Sequence, residues 1–212
     1  MIFAGSPSGG LWQTEDGGES WISYTDDLPT LGVSAIAIDY ENPEITYIGT
    51  GDRDAGDALG IGIMKSYDGG QTWELFNNGM DNATAGRLLI DPDNPETLLA
   101  ATSYGIYRTE DGAVNWTQKQ SGNFKDLVFH PENADIVYAT SSGNFYRSED
   151  RGETWNEITS GLPGGSRGAI AVTPGEPDYV YFVLTNQTEY KGMYFSDNAG
   201  LSFQSNPLRL TS

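Results

Sequence analysis

Short runs of aromatic and β-branched residues alternate with turns rich in Asp, Asn, Gly and Pro along the whole chain. Ser34–Asp39, Arg87–Asp91, Asp126–His130 and Ala169–Thr173 each read as a strand, and each runs into a Pro-containing turn: Asn42-Pro43, Asp91-Pro92, His130-Pro131 and Thr173-Pro174. Pro fixes φ and removes a ladder donor, and Asp or Asn supplies a local side-chain turn. A second strand follows each turn, at Ile45–Thr50, Thr97–Thr102, Ile136–Thr140 and Tyr179–Leu184. Two more runs then flank an Asp/Gly turn, as in Gly62–Lys65 and Trp73–Phe76, which is a hairpin signature. No stretch carries helical periodicity.

The hairpin turn is a repeated phrase. Thr14-Glu-Asp16-Gly-Gly-Glu-Ser20-Trp21 recurs around Asp68 and Trp73, Asp111 and Trp116, and Asp150 and Trp155, with a worn copy around Asn198 and Phe203. The central positions lie 52, 43, 39 and 48 residues apart. Four strands per unit of this length is the blade pattern of a β-propeller, because one unit cannot bury its own apolar face. The fold class is therefore all-β, a propeller of four-stranded antiparallel blades in a single domain 1–212. The blades fall at 1–24, 33–76, 85–119, 124–159 and 167–205. The first blade starts at its second strand. The tail Pro207–Thr211 is a candidate to supply the missing strand and close a ring; the alternative is that the chain is part of a longer propeller, which an unprotected strand edge favours.

Within the phrase, Gly permits positive φ, the Asp carboxylate accepts turn N–H groups, and Ser/Thr ties the hairpin arms. The terminal Trp is expected to pack between blades. Carboxylates in separated, equivalent turns cannot meet at one catalytic or metal centre. The phrase resembles the Asp-box, or bacterial neuraminidase repeat, of sialidases, xyloglucan-cleaving glycoside hydrolases, sortilin-type receptors and photosystem assembly factors. The resemblance implies a propeller whose boxes lie away from the active face. The runs Gly5–Trp12, Thr50–Asp57 and Gly122–Asp126 are also similar to propeller segments of large secreted bacterial proteins with sorting tails. Both likenesses imply an extracellular or cell-surface location, and a glycan or a protein as ligand. The sialidase Phe/Tyr-Arg-Ile-Pro motif is missing.

Acidic residues outnumber basic ones 30 to 11, for a net charge of −19, which disfavours nucleic acid and anionic membranes. Cysteine is absent, so redox compartment is not legible. No apolar run is long enough to insert into a membrane, and residues 1–25 lack a signal-peptide pattern, so an export signal is expected outside this stretch. Three glycosylation sequons, at Asn82, Asn115 and Asn186, matter only in a eukaryotic host. Oligomeric state is left open.

Connections between second and third strands share a face with the inter-blade loops, opposite the repeated turns, and the working loops are expected there. The longest, Gly51–Gly60, places Asp52, Asp54 and Asp57 within six residues. Oxygen-rich clusters suit Ca²⁺, the one cofactor considered, although the helix–loop–helix calcium spacing fails at Gly56 and Ile63. A solvated loop, a metal site and a glycan contact are all open readings of it. Tyr104 and Tyr190 are candidates for sugar stacking. Arg87 and Arg167, near inner-strand starts, are candidates for an anionic ligand, against a structural reading as partners of nearby carboxylates. A glycosidase needs two facing carboxylates, and one of these Asp residues could supply a member. The leading expectation is a binding module without catalysis; the alternative is a glycoside hydrolase fragment. Gly164-Gly-Ser166-Arg-Gly168 matches the nucleophile-elbow pattern, but a strand follows it where the elbow needs a helix. His130, the single histidine, aligns with Asp39 and Asp91 at a strand end and reads as a turn residue.

Overall fold

The computed structural model describes residues 1–187 and 189–205. The tail Pro207–Thr211 and Thr188 of the last sequon lie outside the described residues. The described chain is all-β, a β-propeller fold built of antiparallel blades, and contains no helix. No helix is therefore long and apolar enough to cross a membrane. The chain divides into two compact units, Met1–Ser121 and Gly122–Ser212.

The first unit holds three sheets. A three-stranded one is formed by β1 (Ile2–Ser6), β2 (Gly10–Thr14) and β3 (Ile22–Ser23). The next is formed by β4 (Val33–Ile38), β5 (Thr46–Thr50), β6 (Ile63–Ser66) and β7 (Glu74–Leu75). The third comprises β8 (Ala85–Asp91), β9 (Asn94–Thr102), β10 (Gly105–Thr109) and β11 (Thr117–Ser121). In the second unit, β12 (Phe124–His130), β13 (Asn133–Ser141), β14 (Asn144–Ser148) and β15 (Asn156–Ile158) form one sheet. There, β16 (Arg167–Val172), β17 (Val180–Asn186), β18 (Glu189–Ser196) and β19 (Gln204–Ser205) form the other. Within each sheet the neighbours are sequential and antiparallel, so every connection inside a sheet is a hairpin.

The core lies between sheets, as the shared apolar period demands. In the first unit, Ile48 and Met64 of the second sheet pack with Phe3 and Leu11 of the first. Tyr47 and Ile63 on that sheet's other face pack with Leu98, Ala100 and Tyr107 of the third. In the second unit, Tyr138 and Phe145 pack with Val180, Phe182 and Phe203. Backbone bonds reinforce the joints. The Trp116 N–H donates to Asn78 O at 2.8 Å, and the Phe203 N–H donates to Ser160 O at 2.9 Å. The close approach is possible because Gly79 (φ 86°) and Gly161 (φ 79°) carry no Cβ; one built at either position would collide with the carbonyl oxygen of Trp116 or Phe203.

Candidate functional site

The five repeated turns have one geometry. In the second blade, Asp68 Oδ1 accepts from Ser66 Oγ (2.7 Å), Gln71 N (3.0 Å) and Thr72 N (2.8 Å), and Oδ2 accepts from Thr72 Oγ1 (2.6 Å). Gly70 N donates to Ser66 Oγ at 2.8 Å. The same bonds recur around Asp16 with Thr14 and Ser20, and around Asp150 with Ser148 and Thr154. At Asp111 the partner side chain is Asn115. In the last turn Asn198 keeps the Oδ1 role, accepting from Ser196 Oγ (2.8 Å) and Ser202 N (3.1 Å), and its Nδ2 donates to Ser202 Oγ (2.9 Å).

These bonds favour the charged carboxylate. The Thr72 hydroxyl and N–H, joined by Ser66, hold Asp68 down to about 2. The Ser20 hydroxyl and N–H hold Asp16 well below the carboxylate range. Burial pushes Asp111 and Asp150 upward, but hydrogen bonds from Asn115 and Thr154 prevail and both are lowered. Two successive residues per turn have positive φ, including the non-glycines Ala113 (77°), Arg151 (57°) and Ala199 (54°).

The terminal aromatic residues occupy different depths. Trp116 (4% exposed) and Phe203 (7%) are buried against the preceding sheet, the latter 4.8 Å from Phe145. Trp73 and Trp155 are half-buried, with Nε1 bonded to Gly70 O and Gly152 O at 3.0 Å. Trp21 is 39% exposed.

A lock that the repeat did not announce sits one residue before the turn. Lys65 Nζ donates to Gly112 O of the next blade at 3.0 Å, and Arg147 Nε donates to Ala199 O at 2.7 Å. The two acceptors hold the same place in their turns. Both cations are buried. The Lys65 ammonium lies 4.8–5.6 Å from the ring centres of Tyr47, Tyr67 and Phe76, a cation–π cage. The signal was present as the Lys or Arg preceding Ser66, Thr109 and Ser148, but no local rule says where so long a side chain ends.

On the other loops the acidic residues act singly. Asp52 is buried, and its carboxylate accepts from the N–H groups of Asp54 (2.9 Å), Ala55 (3.1 Å) and Asp57 (3.3 Å). Those bonds lower its pKa, that from Asp54 foremost. Asp54 pairs with Arg53 at 3.1 Å, and Asp57 is exposed. Among the described residues no three Asp, Glu, His or Cys side chains form a group that could hold a metal ion. Asp52 turns inward to tie its own loop through the N–H groups of Asp54, Ala55 and Asp57.

Arg87 lies on β8 and, with Arg53, Ser34 and Gly86, lines a cleft of about 240 Å³ in the first unit. The Arg53 stem crosses Gly86, where any Cβ would obstruct it. Ser34 Oγ bridges the loop, donating to Gly51 O (2.7 Å) and accepting from Arg53 N (3.1 Å). Arg53 and Ser34 were not candidates from sequence, because only the closed loop brings them beside Arg87. Tyr104 is exposed at the β9–β10 turn. Arg167 is exposed at the start of β16, in the second unit. Tyr190 is exposed on β18, in an extended hairpin.

The elbow-like Ser166 accepts from Gln187 N and donates to Thr185 O (3.3 Å) at the opening of a strand. His130 Nδ1 accepts from Glu132 N (3.2 Å), as Asp39 accepts from Glu41 N and Asp91 from Asp93 N. That bond fixes the tautomer with the proton on Nε2, 3.4 Å from Asp178.

The fold and its carboxylate-centred turns define a repeat β-propeller module. Residues 104–209, half of the chain, match the family described as sortilin, neurotensin receptor 3; the chain belongs to this Sortilin-Vps10 family. It is also 29% identical over 136 residues to a xyloglucanase of a Paenibacillus species, and 29% over 137 residues to one of Acetivibrio thermocellus. Each alignment covers 57% of the chain but only 13% and 16% of those proteins. Among solved structures, an ancestral GH74 enzyme superposes with a TM-score of 0.76 at 20% identity, over 96% of this chain and 29% of that one. This last likeness is one of fold.

Proposed function

We propose that the chain is a propeller segment of a xyloglucan-directed protein, and that it contacts the polysaccharide through the loops opposite its repeated turns. The observation that carries this reading is the similarity to two xyloglucanases over more than half of the chain. The chemistry of the first unit agrees with it. The cleft at Ser34, Arg53 and Arg87 offers guanidinium donors to sugar oxygens, and Tyr104 offers an exposed ring face. A polymer of this size does not cross membranes, so the segment works outside the cell or on its surface. Glycan binding without turnover is the reading we favour for the isolated chain; a hydrolytic role within a longer enzyme is the second reading, and the xyloglucanase similarity is what favours it.

Calorimetric titration with xyloglucan oligosaccharides, run beside a reducing-sugar assay on xyloglucan and mixed-linkage glucan, tests both. Binding without new reducing ends is the expected result. Turnover that a single Asp54→Asn or Asp57→Asn change abolishes would establish the hydrolytic reading. No binding and no turnover would remove the polysaccharide assignment.

A further inference from the structure

We propose that the first blade binds a primary alkylammonium group of a ligand, at the place where the second blade holds its own lysine. The site flanks a repeated turn, away from the sugar-facing loops, and does not depend on the polysaccharide reading. In the second blade the residue before the turn is Lys65. Its ammonium donates to Gly112 O and lies 4.8–5.6 Å from the ring centres of Tyr47, Tyr67 and Phe76. In the third and fourth blades that residue is arginine, and it pairs with the glutamate two positions on: Arg108 with Glu110 at 2.6 Å, and Arg147 with Glu149. Each of these blades therefore supplies both a cation and the groups that receive it.

The first blade keeps the receiving groups but has a neutral residue, Gln13, where the others have Lys65, Arg108 and Arg147. Strand pairing sets the equivalence: Gln13 lies opposite Phe3 and Ile22, as Lys65 lies opposite Tyr47 and Glu74. Glu15 holds the place of Glu110 and Glu149, and Tyr24, three residues after its Trp, holds that of Phe76. Among the described residues no Lys, Arg or His pairs with Glu15. Gln13 is 8% exposed; its Nε2 donates to Met1 Sδ (2.8 Å), and its Oε1 is buried with no hydrogen-bond partner. A buried acceptor of this kind costs free energy until a donor reaches it. Gln13, Glu15 and Tyr24 line one open cleft of about 310 Å³ beside Asp16 and Ser20.

This cleft lies on the face turned to the second blade, since Leu11, two residues before Gln13 along β2, packs with Ile48 and Met64. The space beside the second blade's turn is open there. A Cβ built at Gly112 would lie 3.1 Å from Lys65 Nζ, whereas one built at Gly69, the equivalent position, meets nothing within 4 Å. An amide oxygen, a carboxylate and an aromatic ring at one cleft suit a cation that carries N–H donors and an apolar stem. A hard metal ion takes about six to eight oxygen ligands and gains nothing from Tyr24. The same head group comes either from a free amine or from a lysine side chain on a peptide.

Amide chemical-shift mapping on the intact chain tests the proposal, with the backbone amides of Gln13, Glu15 and Gly69 as reporters. The probes are butylammonium chloride for the free amine and Nα-acetyl-lysine amide for the peptide-borne group. Butanol and sodium chloride at the same concentrations control for apolar contact and ionic strength. Saturable shifts are expected with at least one ammonium probe and with neither control, and the tighter probe identifies the source. Gln13→Lys lets the chain supply its own ammonium, and is expected to abolish the shifts and raise the melting temperature by about 3 °C. Glu15→Gln changes an exposed side chain and is expected to weaken binding roughly threefold without altering the fold. No saturable shift with either probe, equal shifts with butanol or sodium chloride, or unchanged binding in either variant overturns the proposal.

Discussion

Replacing Asp68 with Ala removes the acceptor of four hydrogen bonds that close the second blade's turn. A single cap bond of this type is worth about 1 kcal/mol. Bonds to charged groups are individually stronger, but they add poorly within one network and face water here, so the expected loss is about 2 kcal/mol. Asp68→Asn should cost less than half of that, because Asn198 performs the same task with Oδ1 accepting and Nδ2 donating. The pH dependence has a definite sign. Asp68 falls from 3.8 to about 2 on folding, so its stabilisation is fully present above about pH 4 and is lost as pH drops toward 2. Over that interval the linkage, discounted for solvent screening, amounts to about 1 kcal/mol. Urea unfolding followed by the fluorescence of the adjacent Trp73, at neutral pH and at several points between pH 4 and 2, measures both effects. Equal midpoints for wild type and Asp68→Ala would refute the view that the carboxylate builds the turn. An Asn variant as damaged as the Ala variant would show that charge, and not acceptor geometry, is what counts.

Three further outcomes follow from the same contacts. Lys65→Met keeps the apolar stem but strands Gly112 O and empties the aromatic cage, and should lower stability by about 2 kcal/mol in the same urea assay, with Lys65→Arg recovering part of it. Gly161→Ala forces a methyl group into the Phe203 carbonyl at a positive φ and should cost about 3 kcal/mol or more, or prevent the second unit from folding, as circular dichroism would show. Asp52→Ala releases three loop N–H groups and should speed hydrogen exchange at Asp54, Ala55 and Asp57, while adding Ca²⁺ or EDTA leaves the wild-type melting temperature unchanged.

The blade pattern was legible because it is written twice. Alternating apolar runs place the strands, and the repeated turn phrase sets their order, so β4 to β7 and their counterparts fall within a few residues of the runs read from sequence. Local chemistry was legible too: the carboxylate that accepts a hydroxyl four residues on needs only the turn itself. The joints were not. Lys65 and Arg147 reach carbonyls 47 and 52 residues away, and Gly79 and Gly161 are glycines because of a backbone contributed by another blade. Those choices depend on tertiary neighbours that spacing along one strand does not encode. The acidic loop shows the same dependence: spacing alone leaves a solvated loop, a metal site and a glycan contact open, and the bonding of Asp52 to backbone donors depends on how Gly51–Gly60 closes over Ser34.

The central claim is that the repeated turns hold the blades together while the opposite loops meet the ligand. Paired measurement of melting temperature and xyloglucan-oligosaccharide Kd, for turn variants Asp68→Asn and Asp150→Asn and loop variants Asp54→Ala, Asp57→Ala and Tyr104→Ala, tests it most directly. The account predicts lowered melting with unchanged Kd for the turn variants, and unchanged melting with weakened Kd for the loop variants. Turn variants that lose affinity while keeping full thermal stability would contradict it.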